Sequence, residues 1–268
     1  MSMPTRIMGV LNVTPDSFSD GGRWADVDVA CEHARELVGQ GASIIDVGGE
    51  STRPGAARVD ADEELRRVLP VVERLAAAGV TVSVDTMRAT TARAVIDAGA
   101  AIVNDVSGGL ADPDMFATVA GSDASYILQH WRGHSDVMNS LANYTDVCAE
   151  VLTETLARRD AAVAVGIPAS RIILDPGLGF AKSSDDNWQI LRDLDAWQAT
   201  GHRVLIGASR KRFLAEAQDR DVATAAVTTW CAAHGIWAVR THEVSMQRDA
   251  IIVGSHLRPD AAELRPLG

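Results

Sequence analysis

The sequence predicts an α/β fold in which residues 1–268 form a single (β/α)8 barrel, with its active site at the carboxyl ends of the strands. Three observations support this prediction. Eight short apolar runs recur along the chain, each followed by polar and glycine residues and then by a helical segment. The runs lack polar–apolar alternation, which is typical of strands covered on both faces. The length of 268 residues also suits one such barrel, which typically needs about 250.

The apolar runs predict strands at 6–11, 42–48, 81–85, 101–105, 125–130, 171–175, 203–207 and 237–242. Right-handed crossovers join successive parallel strands, so eight such units in a row close naturally into a barrel. The alternative is an open doubly wound sheet. The regularity of the eight units favours the barrel, as does the absence of a Gly-x-Gly-x-x-Gly motif after the first run.

Between the strands, apolar residues recur at helical spacing, as Ala30, Ala34 and Leu37 do in the first segment. Helices are predicted at 26–40, 62–78, 88–98, 112–120, 146–165, 186–199, 223–234 and 243–257. Most of them end near a glycine, such as Gly41 or Gly166, which is a common helix stop. No linker or low-complexity tract divides the chain, so a single domain is predicted.

Composition narrows the class of protein. The net charge of −11 argues against a general nucleic-acid surface. The three cysteines (Cys31, Cys148 and Cys231) show no metal-binding spacing and favour a reducing compartment. The first residues contain no apolar signal core, and no apolar run is long enough to span a membrane. We therefore expect a soluble, cytoplasmic protein that binds neither nucleic acid nor membrane.

Polar side chains gather at the predicted carboxyl ends of the strands, where a barrel places its chemistry. Asp85, Asn104, Asp175 and Lys211 form the first candidate cluster. Two carboxylates, an amide and an ammonium suit a flat heterocycle with several hydrogen-bond donors and acceptors. Each charge-assisted bond contributes about 1.5–3 kcal/mol.

The other strand ends predict two further clusters. Asn12, Arg53, Arg240 and His242 suit an anion such as phosphate or diphosphate, which barrels often hold near strands 7 and 8. Thr52, Pro54, Phe180 and Ser209 suit a small apolar slot with a polar end. The start of the helix after Lys211 also belongs to this slot, and a helix N-terminus there would suit a carboxylate.

Each residue taken alone has an ordinary structural alternative. Asp85 or Asp175 could simply cap the next helix, Arg53 could be a solvated loop charge, and a lone histidine such as His242 is more often structural. These alternatives must explain every strand end separately. The joint pattern therefore favours the functional interpretation.

The chain resembles the dihydropteroate synthase family in seven ordered motifs. They are MGVLNVTPDSFSDGG (8–22), DVGGESTRPG (46–55), VSVDT (82–86), VNDVSGG (103–109), DPGLGFAK (175–182), SRK (209–211) and VRTHEV (239–244). The family fold is a (β/α)8 barrel, in agreement with the strand count. The resemblance implies that 6-hydroxymethyl-7,8-dihydropterin diphosphate is joined to 4-aminobenzoate, giving 7,8-dihydropteroate and diphosphate in folate synthesis. It further implies a homodimer, and it implies that sulfonamide inhibitors would compete for the slot that binds 4-aminobenzoate.

The resemblance also implies residue roles. The pterin would be held by Asp85, Asn104, Asp175 and Lys211. Mg2+ would be bound by Asn12 together with the diphosphate, and the anion would be held by Arg53, Arg240 and His242. The residues around 4-aminobenzoate would be Thr52, Pro54, Phe180, Ser209 and Arg212. Arg53, Lys211, Arg240 and His242 are the expected catalytic residues. Many members of the family carry serine where this chain has Arg212, which would leave only a backbone N–H for the 4-aminobenzoate carboxylate.

The chemistry fits an SN1-like path. An aromatic amine is a weak nucleophile, whereas a dihydropterin stabilises positive charge on its exocyclic methylene. The C–O bond can therefore ionise first, and the protein must chiefly stabilise the departing diphosphate. Two alternatives remain at this stage: a pterin-binding methyltransferase domain that serves a corrinoid protein, and a non-catalytic relative that binds pterin without turnover.

Overall fold

The computed structural model describes residues 4–13, 22–50, 59–134 and 137–258. Thr52, Arg53 and Pro54 lie outside the described residues, so the predictions made for them stay predictions. Within the described ranges, eight parallel strands close into a barrel in chain order. They are β1 (Arg6–Asn12), β2 (Ile44–Gly48), β3 (Val82–Asp85), β4 (Ile102–Asp105), β5 (Ser125–Gln129), β6 (Ile172–Asp175), β7 (Arg203–Ile206) and β8 (Ala238–Thr241). The predicted (β/α)8, or TIM-barrel, fold is confirmed.

The barrel closes where β1 pairs with β8, with Arg6 opposite Ala238 and Gly9 opposite Thr241. Side chains alternate between the inside of the barrel and the layer under the helices. Outward residues such as Val47 and Val84 join the large core between strands and helices. A separate apolar cluster fills the barrel interior; it contains Met8, Ile44, Ile102, Ile127, Ile173, Leu205 and Ala238. Both faces are apolar over most of each strand, which explains the unbroken apolar runs in the sequence.

The helices follow the predicted segments with small shifts at their ends. They are α1 (Gly22–Gln40), α2 (Ala61–Ala77), α3 (Ala89–Asp97), α4 (Met115–Ala120), α5 (Val147–Val165), α6 (Ser184–Arg192), α7 (Leu194–Gln198), α8 (Arg220–Ala233) and α9 (Ser245–Leu257). One prediction is wrong: the segment 186–199 is two helices. Asp193 interrupts it with φ −108° and ψ 35°, outside the helical region, and Leu194 and Trp197 of α7 are then buried.

Local signals account for several helix ends. Asp146 begins α5 by accepting a hydrogen bond from the Ala149 N–H at 3.1 Å. Ser183 and Asp186 form a reciprocal capping box at the start of α6. Gly166 ends α5 at φ 115°, a left-handed conformation that favours glycine. In the described ranges, no helix has both the length and the apolar character needed to cross a membrane.

Candidate active site

A layer of polar side chains lies inside the barrel, on the carboxyl side of the apolar interior cluster. Its members each follow an apolar residue of that cluster by two positions, so they share the inner face: Asp46 after Ile44, Asn104 after Ile102, Gln129 after Ile127, Asp175 after Ile173 and Arg240 after Ala238. Asp85 ends β3 opposite Asn104 on β4. The barrel thus brings residues from six strands to one end; the sequence predicted four of them, Asp85, Asn104, Asp175 and Arg240, but not Asp46 or Gln129.

The first part of this layer is an ion-pair and amide cluster. Arg240 donates from Nε to Asp46 Oδ2 at 2.5 Å and from Nη2 to Asp85 Oδ2 at 3.0 Å. Asn104 Nδ2 donates to the same Asp46 oxygen at 3.1 Å. Asp46, Asp85 and Asn104 are buried. Arg240, predicted as an anion contact, therefore lies beside two residues predicted to hold a heterocycle.

Burial raises the pKa of Asp85 to about 7, because lost hydration outweighs the opposing effect of the Arg240 guanidinium. The neighbouring Asp46 carboxylate raises this pKa further. The Asp85 carboxyl group is therefore easier to protonate than an exposed aspartate. A carboxyl group with that property inside a polar pocket is a candidate for substrate contact rather than a simple helix cap.

The second part of the layer pairs Asp175 with Lys211. Asp175 Oδ1 accepts a hydrogen bond from the Gly177 N–H at 2.7 Å. Burial raises the pKa of Asp175, and the Lys211 ammonium opposes that shift. Burial also lowers the pKa of Lys211 to about 8, against the attraction of Asp175. Lys211 donates to the Leu178 carbonyl, and its Nζ lies 4.9 Å from the centre of the Phe180 ring.

The predicted anion cluster is described only in part. Asn12 ends β1, and its Oδ1 lies 3.7 Å from the position that a Cβ on Gly48 would occupy. His242 follows β8, and its Nδ1 lies 3.0 Å from Ser209 Oγ. The His242 backbone N–H also donates to Ser209 Oγ at 3.2 Å. These two contacts hold the His242 side chain and backbone beside Ser209.

Three members of the predicted 4-aminobenzoate slot are described, namely Phe180, Ser209 and Arg212. Phe180 lies against Lys211, and Ser209 lies against His242. The helix that follows Lys211 is confirmed: α8 begins at Arg220, three residues before the predicted start, and a single 3-10 turn spans Arg212–Leu214 in between. Arg212 is exposed at the start of that turn. Asp219 provides the reason, because its side chain caps the backbone N–H groups of Asp221 and Val222 and so begins α8 there.

Sequence reasoning missed several polar residues next to the site. Asp46 is the one charged residue in the apolar run of β2, and that signal could have identified it. Lys182 is buried: its Nζ lies 2.9 Å from His130 Nδ1 and donates to the carbonyls of Gly177 and Phe180 at 3.2 and 3.1 Å. Burial lowers the pKa of Lys182 to about 7. Lys182 thus stabilises the loop from Gly177 to Phe180 by hydrogen bonds to its backbone.

The fold and the polar cluster agree with the comparison to known proteins. The profile of the family described as pterin binding enzyme matches residues 8–242. The chain is 48% identical to dihydropteroate synthase of Mycobacterium leprae over 277 residues, covering 98% of each chain.

Two solved structures share the fold. One is dihydropteroate synthase from Clostridium difficile in the presence of pteroic acid, with a TM-score of 0.89, 36% identity, and 96% of this chain and 97% of that chain covered. The other is the Xanthomonas albilineans enzyme with 4-aminobenzoic acid, with a TM-score of 0.86, 39% identity, and 98% and 94% covered.

The barrel, its polar end and the matched profile define a pterin-binding enzyme. Within that class, near-complete coverage at 48% identity is decisive. The chain belongs to the dihydropteroate synthase family.

Proposed function

We propose that this protein is a transferase that joins 6-hydroxymethyl-7,8-dihydropterin diphosphate to 4-aminobenzoate, giving 7,8-dihydropteroate and diphosphate in folate synthesis. One observation carries the proposal: buried acceptors on Asp85, Asn104 and Asp175 share the carboxyl end of the barrel with the Lys211 ammonium. A pterin ring offers several N–H donors beside an oxygen and a ring nitrogen that accept. The acceptors and the ammonium are complementary to that pattern.

The pterin-binding groups act by charge-assisted hydrogen bonds. Asp175 keeps one carboxylate oxygen occupied by the Gly177 N–H, so its second oxygen remains to accept a substrate N–H. The Lys211 ammonium donates to the ring, and its partial desolvation strengthens that bond. Asp85 and Asn104 accept from the opposite side of the cluster.

The reaction follows an SN1-like path in this proposal. Departure of diphosphate leaves a cationic methylene on the dihydropterin, and the 4-aminobenzoate amine then attacks it. Arg53, Arg240 and His242 stabilise the leaving charge. Support for His242 comes from Ser209, whose hydroxyl lies 3.0 Å from Nδ1 and positions the imidazole ring. Phe180, Ser209, Thr52, Pro54 and the Arg212 backbone N–H surround 4-aminobenzoate.

Asn12 suits the predicted Mg2+. Mg2+ prefers oxygen ligands and commonly takes one or two from the protein, with water and substrate phosphate supplying the others. The Asn12 amide oxygen meets that requirement, and the neighbouring Gly48 has no side chain that could cover it. When bound there with the substrate, Mg2+ would neutralise charge on the diphosphate. Chelation of the metal should therefore lower turnover without weakening the binding of a pterin that lacks phosphate.

A homodimer through the outer helices also belongs to this proposal. Met246, Val253 and Leu257 of α9 are 38%, 51% and 64% exposed, and spacings of seven and four residues place them on one helix face. α9 packs closely on α8, because a Cβ on Gly254 would lie 2.3 Å from the Thr229 carbonyl oxygen. Light scattering should give twice the chain mass; Val253→Asp should reduce it, and a monomeric wild-type protein would reject the dimer.

We place the protein in the cytoplasm. The cysteines are free thiols on three separate helices, Cys31 on α1, Cys148 on α5 and Cys231 on α8. Burial raises the pKa of each thiol, so they are poorly reactive structural residues. Cell fractionation tests this assignment directly.

The decisive experiment measures diphosphate release from the pterin diphosphate with Mg2+, with and without 4-aminobenzoate. Dihydropteroate is detected in the same samples. Equal amounts of diphosphate and dihydropteroate establish the synthase. Pterin binding without coupled product would reject it in favour of a non-catalytic relative.

A further inference from the structure

Asp46 is the most deeply buried acid of the polar layer, and none of the roles above uses it. Its side chain lies on the inner face of β2 and is 0% exposed. One carboxylate oxygen, Oδ2, accepts from Asn104 Nδ2 at 3.1 Å and from Arg240 Nε at 2.5 Å. Both donors belong to the proposed site. Asp46 therefore touches two site residues from the apolar side of the layer.

The contact with Asp46 decides how Asn104 is oriented. An amide side chain can present either its oxygen or its nitrogen in a given direction. A carboxylate paired with a guanidinium only accepts hydrogen bonds, so the amide nitrogen of Asn104 must face Asp46. Asn104 is 3% exposed, and its Oδ1 has no hydrogen-bond partner among the residues that the structure describes.

A buried acceptor without a partner is costly unless a ligand completes it. Asn104 Oδ1 lies in the same layer as the Asp85 carboxyl group, since the two residues are paired across β3 and β4. Asn104 Oδ1 and the Asp85 carboxyl group are then neighbouring acceptors that can bind N–H donors of a ligand. If the Asn104 amide were reversed, its NH2 group would face an N–H of the ligand, and two donors cannot form a hydrogen bond.

We propose that Asp46 is a positioning residue that holds Asn104 with its amide oxygen toward the substrate, where it accepts a hydrogen bond from an N–H of the pterin. The inference rests on the proposed function and adds specificity to it. Asp46 acts through Asn104. Its contact with Arg240 is a separate effect, on the charge beside Asp85.

The test compares three variants by calorimetric titration with 6-hydroxymethyl-7,8-dihydropterin. Asp46→Ala removes the acceptor, so Asn104 can rotate, and we expect the Kd to rise tenfold or more. Asp46→Asn keeps an oxygen where Oδ2 stands and should bind within about threefold of wild type. Ser83→Ala is the matched control: Ser83 lies opposite Asp46 on β3, is equally buried, and its hydroxyl has no partner among the described residues. Its Kd should not change.

A double-mutant cycle separates the route through Asn104 from the one through Arg240. In an Asn104→Ala background, Asp46→Ala should raise the Kd less than twofold, because the residue through which it acts is gone. If Asp46→Ala raises the Kd by the same factor with and without Asn104, the two substitutions act independently and the proposal is overturned. Wild-type affinity in Asp46→Ala alone would also overturn it.

Neutron diffraction from crystals of the wild-type complex tests the same point without any variant. We expect a deuteron on Asn104 Nδ2 directed at Asp46, and a deuteron bonded to a pterin nitrogen and directed at Asn104 Oδ1. A deuteron donated by Asn104 to the ring would refute the assignment even if Asp46→Ala failed to fold. Failure of the proposed function is distinct, since wild-type protein would then not bind the pterin or would not turn it over.

Discussion

Lys211→Met is the sharpest test of pterin recognition, because it removes the ammonium and keeps most of the buried stem. Lys211 is the basic member of the first predicted cluster and lies beside Asp175 and Phe180. A charge-assisted hydrogen bond contributes about 1.5–3 kcal/mol. Loss of one such bond should raise the Kd for 6-hydroxymethyl-7,8-dihydropterin about 10- to 150-fold.

The lowered pKa of Lys211 adds a pH dependence with a definite sign. Only the charged form donates strongly to the ring, and the pKa is about 8 in the free protein. The affinity ratio of wild type to Lys211→Met should therefore fall about tenfold from pH 7 to pH 9, as the ammonium loses its proton. Taking the ratio cancels titration of the free ligand.

Isothermal titration at several pH values measures this ratio. The exposed Arg220 at the start of α8 offers a control, and Arg220→Met should bind like wild type at each pH. A ratio independent of pH, or Lys211→Met affinity within twofold of wild type, would remove Lys211 from the pterin site.

The next three predictions concern Asp175, Arg53 and Tyr126. Asp175→Asn preserves the side-chain shape but removes the charge, and titration should show a Kd for the pterin at least tenfold higher; normal affinity would contradict its role. Arg53→Ala should lower the turnover number in steady-state assays more than it weakens pterin binding, because it acts on the leaving group; an unchanged turnover number would exclude that role. Tyr126→Phe deletes a buried bond of 2.6 Å to Asp105, so urea unfolding should show a loss of about 1–3 kcal/mol with pterin binding intact; an unchanged midpoint would show that the bond contributes nothing.

The sequence predicted Asp85, Asn104 and Asp175 as members of one cluster because parallel strands all end on the same side of a barrel. That argument needs only the strand boundaries, and the structure differs from the predicted boundaries by at most two residues. The adjacent Asp105 shows the limit of the argument. It follows Asn104 directly but points outward, where it accepts from Tyr126, Ser107 and Gly109.

Arg240 shows a second limit. Its place at the end of β8 was predictable, but the direction of a long side chain depends on which acids lie within reach. Asp46 and Asp85 lie on strands far from Arg240 in sequence, and they hold its guanidinium inside the barrel. The start of α8 at Arg220, three residues before the predicted start, has a local cause, since capping by Asp219 begins the helix there.

The sequence by itself determined the fold, the side of the barrel that carries the chemistry, and most of the residues there. Periodicity and strand-end composition are local properties, and eight repeats make them reliable together. Only the tertiary structure decided which polar groups pair. It placed Asp46 under Asn104 and Arg240, and it raised the pKa of Asp85 while lowering that of Lys211. These properties come from burial and from charges on distant strands, which no short stretch of sequence contains.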